Sequence, residues 1–106
     1  MSNWPDDADG DVLRRLEESG FDFSRPSLVD FNVDLRAWPP APKAVKPLSQ
    51  EYPSAKVYEP EGESAGYIQF QLYSVLTYEL VTGVQAYVSK LMAQFGGECN
   101  SWGVLS

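Results

Sequence analysis

The sequence predicts an α+β fold: a ferredoxin-like sandwich with a four-stranded antiparallel sheet, two helices on one face and a short extra helix at the N-terminus. Three observations predict it. The chain has 106 residues, 43% of them hydrophobic, which fits one globular domain with a modest core. A long amphipathic helical pattern precedes a double glycine near the end of the chain. Strand-like alternation before and between the helical patterns sets the order helix, strand-helix-strand, strand-helix-strand. Two split crossovers joined by a hairpin satisfy that order with all strands in one sheet.

Residues 1–9 read as a flexible acidic arm, and 10–106 as the single domain. A short helix starts at about Asp9 or Asp11. Val12, Leu13 and Leu16 form its apolar edge, and Arg14 and Arg15 its wet side. Gly20 is placed just past its end, with Phe21 folding back. Phe21 and Phe23 are expected to dock from the linker that follows.

Leu28 to Leu35 alternates without a break. Val29, Phe31, Val33 and Leu35 face one way; Asp30, Asn32 and Asp34 face the other. Ala37 to Pro53 holds five prolines, yet Ala41, Ala44, Val45, Leu48 and Tyr52 keep helical spacing. Pro47 removes an interior hydrogen bond at roughly 3 kcal/mol, so the second helix is expected to be short and kinked. Ser54 to Glu59 reads as the second strand, and Pro60 to Glu63 as a turn. Gly66 to Tyr73 reads as the third strand. Ile68, Phe70 and Leu72 point inward; Tyr67, Gln69, Gln71 and Tyr73 point out.

The long helix begins at a Thr77 cap, with Glu79 in the first turn, where the helix dipole favours a carboxylate. Leu80, Val81, Val84, Val88, Leu91, Met92 and Phe95 make its apolar stripe. Gly96 and Gly97 can both take the left-handed conformation that stops it. A fourth strand is expected from about Gly97 to Leu105. The sheet face away from the main helices then carries Asp30, Asn32, Asp34, Tyr67, Gln69, Gln71 and Tyr73. It is either open or covered by the N-terminal helix.

Composition narrows the chemistry. The formal charge is −7, which repels nucleic acid phosphates and attracts basic partners. No apolar run approaches the ~20 residues a membrane span needs. The opening Met-Ser-Asn-Trp-Pro-Asp-Asp lacks the features of an export signal, and the one cysteine makes no internal disulfide, so a reducing cytoplasm is the expected location. There is no histidine, the commonest general base and metal ligand. Cys99 reads as a small buried hydrophobe. The run from Asp6 to Asp11 fails as a calcium loop, since Pro5 and Leu16 stand where the first and twelfth ligands belong. No catalytic, cofactor or metal site is expected.

Binding residues are the remaining candidates. Asp30 and Asp34, four residues apart at ~3.4 Å per residue, are too distant for one tight carboxylate pair but make their face acidic. Tyr67 and Tyr73 sit where the RNA recognition motif stacks bases. Gly66-Tyr67-Ile68-Gln69-Phe70 lacks the leading basic residue of that pattern and has Gln69 at the second aromatic position, so direct RNA binding is disfavoured. Packing of these tyrosines under the N-terminal helix is the simpler expectation. Acylphosphatases share the fold, but their arginine-bearing phosphate loop has no counterpart. Trp102, beside Gly103 in the last strand, reads either as packing or as a partner hot spot.

The chain resembles the bacterial regulator of ribonuclease E activity B (RraB-like) family. The resemblance rests on a short helix ending in Gly20-Phe21-Asp22, on the strand Val29-Asp30-Phe31-Asn32-Val33, and on Cys99-Asn100-Ser101-Trp102-Gly103 after the long helix and its glycines. Asn100-Ser101 stands where the family usually has Asp-Gly. The resemblance covers roughly residues 10–106. It implies a ferredoxin-like fold, no catalysis, and a cytoplasmic protein-binding role: modulation of RNA decay through the C-terminal scaffold region of ribonuclease E. The expected partner is therefore a protein. The partner-binding candidates are Asp30, Asp34, Tyr67, Tyr73 and Trp102, on a monomer or weak dimer. The alternative is an RNA- or small-ligand-binding domain using the tyrosine-bearing face.

Overall fold

The computed structural model describes residues 4–35, 42–63 and 66–104. The expectations that fell on residues 1–3, on 37–41 with Pro39 and Pro40, and on Leu105 lie outside them. The elements are α1 (Ala8–Glu18), β1 (Pro26–Leu35), α2 (Pro42–Glu51), β2 (Lys56–Tyr58), β3 (Tyr67–Val75), α3 (Tyr78–Met92), a 3-10 turn (Ala93–Phe95) and β4 (Gly97–Val104). The strands form one antiparallel sheet in the order β2-β3-β1-β4. β1 and β2 flank β3, and β3 and β4 flank β1, which is the split-crossover α+β sandwich expected.

α1 begins earlier than expected, inside the supposed arm. Asp7 is its N-cap, and its carboxylate accepts the Gly10 N–H at 2.7 Å. Trp4 packs half-buried against Phe23, which meets Phe21 edge-on, so both linker aromatics dock. Gly10 permits this: a Cβ there would lie 1.8 Å from the Pro5 carbonyl oxygen. The helix stops as expected. Gly20 has φ 88°, its N–H donates to the Glu17 carbonyl, and the Phe21 N–H donates to the Leu16 carbonyl.

The inward face of the sheet carries the core. Val29, Phe31, Val33, Ile68 and Phe70 are fully buried, together with Leu13 of α1, Leu48 of α2, and Val81, Val88 and Met92 of α3. Tyr52 stacks on Phe70 at 4.1 Å, and Phe70 on Phe31 at 5.3 Å. α2 forms with Pro47 inside it, because Leu48 and Tyr52 bury against this stack and offset the lost main-chain bond. α3 is capped by Thr77, whose hydroxyl accepts the Leu80 N–H at 2.9 Å. The two glycines after it divide the work. Gly96 takes the left-handed conformation at φ 73°. Gly97 is there for space, since a Cβ would come within 2.9 Å of the Met92 Cβ.

β4 contains a bulge. Asn32 pairs with Ser101 and Val33 with Cys99, leaving Asn100 as the extra residue. Simple alternation from the buried Cys99 would turn Trp102 away from the helices. The bulge shifts the phase, so Trp102 pairs with Phe31 and points inward. Its indole Nε1 donates to the Asp9 carboxylate at 2.8 Å, and Gln85 of α3 donates to the same carboxylate at 3.1 Å. Asp9 thus ties α1 to both α3 and β4, which places α1 on the helix side of the sheet.

β2 is shorter than expected, three residues rather than six. The chain before it bends away so that Tyr52 can reach Phe70. Ser54 then meets the β3 edge through its side chain alone: its hydroxyl accepts the Gln71 N–H at 2.9 Å and donates to the Gln71 carbonyl at 3.1 Å. Ser89 of α3 does the same for Cys99 on the opposite edge, at 2.9 and 3.2 Å. One serine hydroxyl per edge satisfies a main-chain pair that no strand reaches.

Candidate functional site: the outer face of the sheet

With all three helices on the inner side, the outer face stays open among the described residues. Its side chains align in rows across the strands. Asp34 of β1 pairs with Tyr67 of β3 and with Glu98 of β4, and Tyr67 pairs in turn with Tyr58 of β2. The next row holds Lys56, Gln69, Asn32 and Ser101. Gln69 donates its amide to Asn32 at 3.0 Å, and Asn32 donates to Ser101 at 3.2 Å. Then come Gln71 and Asp30, joined by a Gln71 amide bond to the Asp30 carboxylate at 2.6 Å. The last pair is Tyr73 with Leu28, both exposed.

Four of the five expected binding residues, Asp30, Asp34, Tyr67 and Tyr73, therefore share this face. Trp102 stands apart from them, half-buried on the helix side. The tyrosines do not pack under α1. Tyr67 lies face to face with Tyr58 at 4.9 Å, with the Lys56 ammonium 5.5 Å from the Tyr58 ring centre, and Tyr73 is 72% exposed. The reason is Asp9, whose contacts with Gln85 and Trp102 hold α1 on the other side. One face of the Tyr67 ring is occupied by Tyr58.

Asp30, Asp34 and Glu98 share this face with Lys56, so negative charge predominates on it. Asp34 and Glu98 are exposed and directly opposed across β1 and β4. The ion pairs of the described residues lie elsewhere, between Arg14 and Asp11 and between Arg25 and Asp22. A hollow of about 430 Å³ opens beside Asp34 and Glu98, lined also by Leu35, Ser89 and Gly97 at the end of α3.

Catalytic groups are placed differently. Cys99 is buried, and its thiol is pushed up to about 12, first by burial and then by the negative charge of Asp34. It is protonated at neutral pH, which denies it the thiolate a nucleophile needs. Asp7 is held below the ordinary carboxylate value by the Tyr78 hydroxyl, which donates to it at 2.5 Å, and by the Gly10 N–H. Both contacts serve the α1 cap and its link to α3. Among the described residues, no three metal-ligating side chains gather at one point. No described helix is long and apolar enough to cross a membrane.

The family model described as Regulator of ribonuclease activity B matches residues 6–104, nearly the whole chain. The chain belongs to the RraB family. None of the curated proteins compared with it matches. As an RraB-family protein it is assigned to the regulation of ribonuclease activity, a role that suggests a protein partner in RNA degradation rather than catalysis of its own. The RraB match begins at Asp6, so it includes the Asp7 cap and the Asp9 clamp that hold α1 on the helix side.

Two features of the RraB-family face were not read from the sequence. Glu98 belongs to it, and period-two alternation with the apolar Cys99 was a sufficient signal. Tyr58 and Lys56 belong to it through β2, whose three residues lie within a stretch too weakly alternating to assign faces.

Proposed function

We propose that this chain is a non-catalytic regulator that binds a basic segment of a ribonuclease on the open face of its sheet. The finer reading is a ribonuclease E-type endonuclease, engaged through its C-terminal scaffold region in the cytoplasm. The observation that carries this proposal is the opposed pair Asp34–Glu98, together with Asp30, on a face without a compensating arginine. Exposed carboxylates held opposite each other cost stability, and a cationic segment removes that cost on binding. The net charge of −7 adds long-range steering toward such a segment. Asp30, Asp34 and Glu98 would meet the cations, while Tyr67 and Tyr73 would supply aromatic surface for arginine side chains.

Charge separates this reading from direct RNA binding. Phosphates would meet three carboxylates against one lysine, Lys56. Calorimetric titration at moderate salt tests the proposal, with the scaffold region of the host's ribonuclease E in one cell and single-stranded RNA in a parallel one. Micromolar or tighter binding to the scaffold, with none to RNA, is the expected result. Binding to RNA alone would overturn the proposal in favour of the tyrosine face as a nucleic acid site.

A further inference from the structure

β2 pairs only with Tyr67 to Gln69 of β3. In an antiparallel ladder a residue directs its N–H and C=O to the same side, and the side alternates along the strand. Gln71 directs both away from β1, onto the Ser54 hydroxyl. Tyr73, two residues on, directs its N–H and C=O the same way, past the end of β2. Among the described residues nothing bonds to them. The Val75 N–H follows, and the Val75 carbonyl has only the neighbouring Ser74 hydroxyl at 3.2 Å.

This free main chain coincides with exposed apolar side chains. Tyr73 is 72% exposed, Val75 40%, and Leu28, the cross-strand partner of Tyr73, 39%. Proteins usually close, charge or shorten such an edge. Here the neighbouring edge position, Gln71, is closed by Ser54, and among the described residues Tyr73 to Val75 is left uncovered.

We propose that Tyr73 to Val75 of β3 receive an extended segment of the protein partner as an added strand. The proposal deepens the reading above and rests on it: the partner is a basic protein, and this edge is where its main chain docks. Its N–H and C=O groups pair with those of Tyr73 and Val75. Its outward side chains are basic, their stems lying over Tyr73 and Val75 and a charged head reaching toward Asp30 on the same face, and the apolar side chains between them turn to the helix side. Charge selects this occupant. A second copy of the chain would bring a further −7 to the same place, and RNA has no strand to add.

The test uses the full chain and a synthetic peptide alternating arginine with valine, with blocked ends. Its counterpart is N-methylated at alternate residues on the edge that faces β3. Both carry the same charge and apolar surface, but only the first can form the ladder. The expected result is binding of the first peptide with slowed amide exchange at Tyr73 and Val75, and at least tenfold weaker binding of the methylated one. Equal binding of the two, or binding that leaves Tyr73 exchange unchanged, would overturn the added strand while leaving the basic-partner reading in place. Failure of both peptides would also overturn it, with the scaffold titration deciding that reading separately. Tyr73 protection that rises with protein concentration and needs no peptide would assign the edge to a second copy and overturn the proposal.

Discussion

Asp34 and Glu98 face each other across β1 and β4, both exposed, with no cation among the described residues paired to either. Like charges directly opposed on a sheet are destabilising by roughly 0.2–1 kcal/mol. A domain optimised only for stability would place a lysine at one of these positions. Glu98→Lys is therefore expected to raise the unfolding free energy measured in urea by about a few tenths of a kcal/mol, while weakening binding to a basic segment several-fold. Parallel unfolding and binding titrations check both signs. A variant that is both more stable and a better binder would remove the functional reading of the pair.

The Trp102–Asp9 hydrogen bond holds α1 against the sheet. Bonds to a charged group contribute about 1.5–3 kcal/mol when well shielded, and both residues here are half-buried. Trp102→Phe and Asp9→Ala should each destabilise the fold. A double-mutant cycle should return a coupling of about 1 kcal/mol. Additive losses, measured by chemical denaturation, would mean that the bond contributes nothing and that Trp102 acts through its ring alone.

Cys99 makes a chemical prediction. With its thiol pushed up to about 12 by burial, raising the pH from neutral to mildly basic leaves it protonated. Labelling by a thiol-disulfide reagent should be limited by opening of the protein and should gain little between those conditions. Rapid native-state labelling that follows an ordinary thiol titration would contradict the buried placement.

The α1 cap predicts a pH dependence. The Asp7 carboxyl titrates below its ordinary 3.8, chiefly because the Tyr78 hydroxyl donates to the ionised form. A carboxyl with a depressed folded-state value stabilises the fold fully above the unfolded value. That contribution is lost as the pH falls through the folded one. Asp7→Asn retains a capping side chain but not the charge. The wild type should be the more stable of the two at neutral pH, and the gap should close below about pH 3.8. A gap that persists into acid would show that the charge is irrelevant.

Much of this architecture was legible because local pattern and global fold agree. The alternation at Leu28 to Leu35 and Gly66 to Tyr73 assigned both central strands to the correct faces, since one side is buried and a slip would expose Phe31 or Phe70. The capping chemistry of Thr77, Gly20 and Gly96 located three helix ends. The failures have tertiary causes. Asp7 and Asp9 read as part of a solvated arm because their partners, Tyr78 and Trp102, lie far along the chain. The inward turn of Trp102 depends on one extra residue in β4, and nothing in Asn100-Ser101 marks a bulge without its partner strand. β2 shortens because Tyr52 is drawn to Phe70, a contact invisible to periodicity. In the register of β2 the residue opposite Tyr73 would be Tyr52, and its turn into the core leaves that edge position uncovered among the described residues.

Charge reversal on the open face tests the account most directly. The affinity of the Asp30→Lys/Asp34→Lys double variant for the ribonuclease E scaffold region would be compared with wild type by calorimetry, with single-stranded RNA titrated alongside. The account predicts scaffold affinity weaker by at least tenfold, about 1.4 kcal/mol, and stronger RNA binding. Unchanged or tighter scaffold binding would contradict it and take the partner surface off this face.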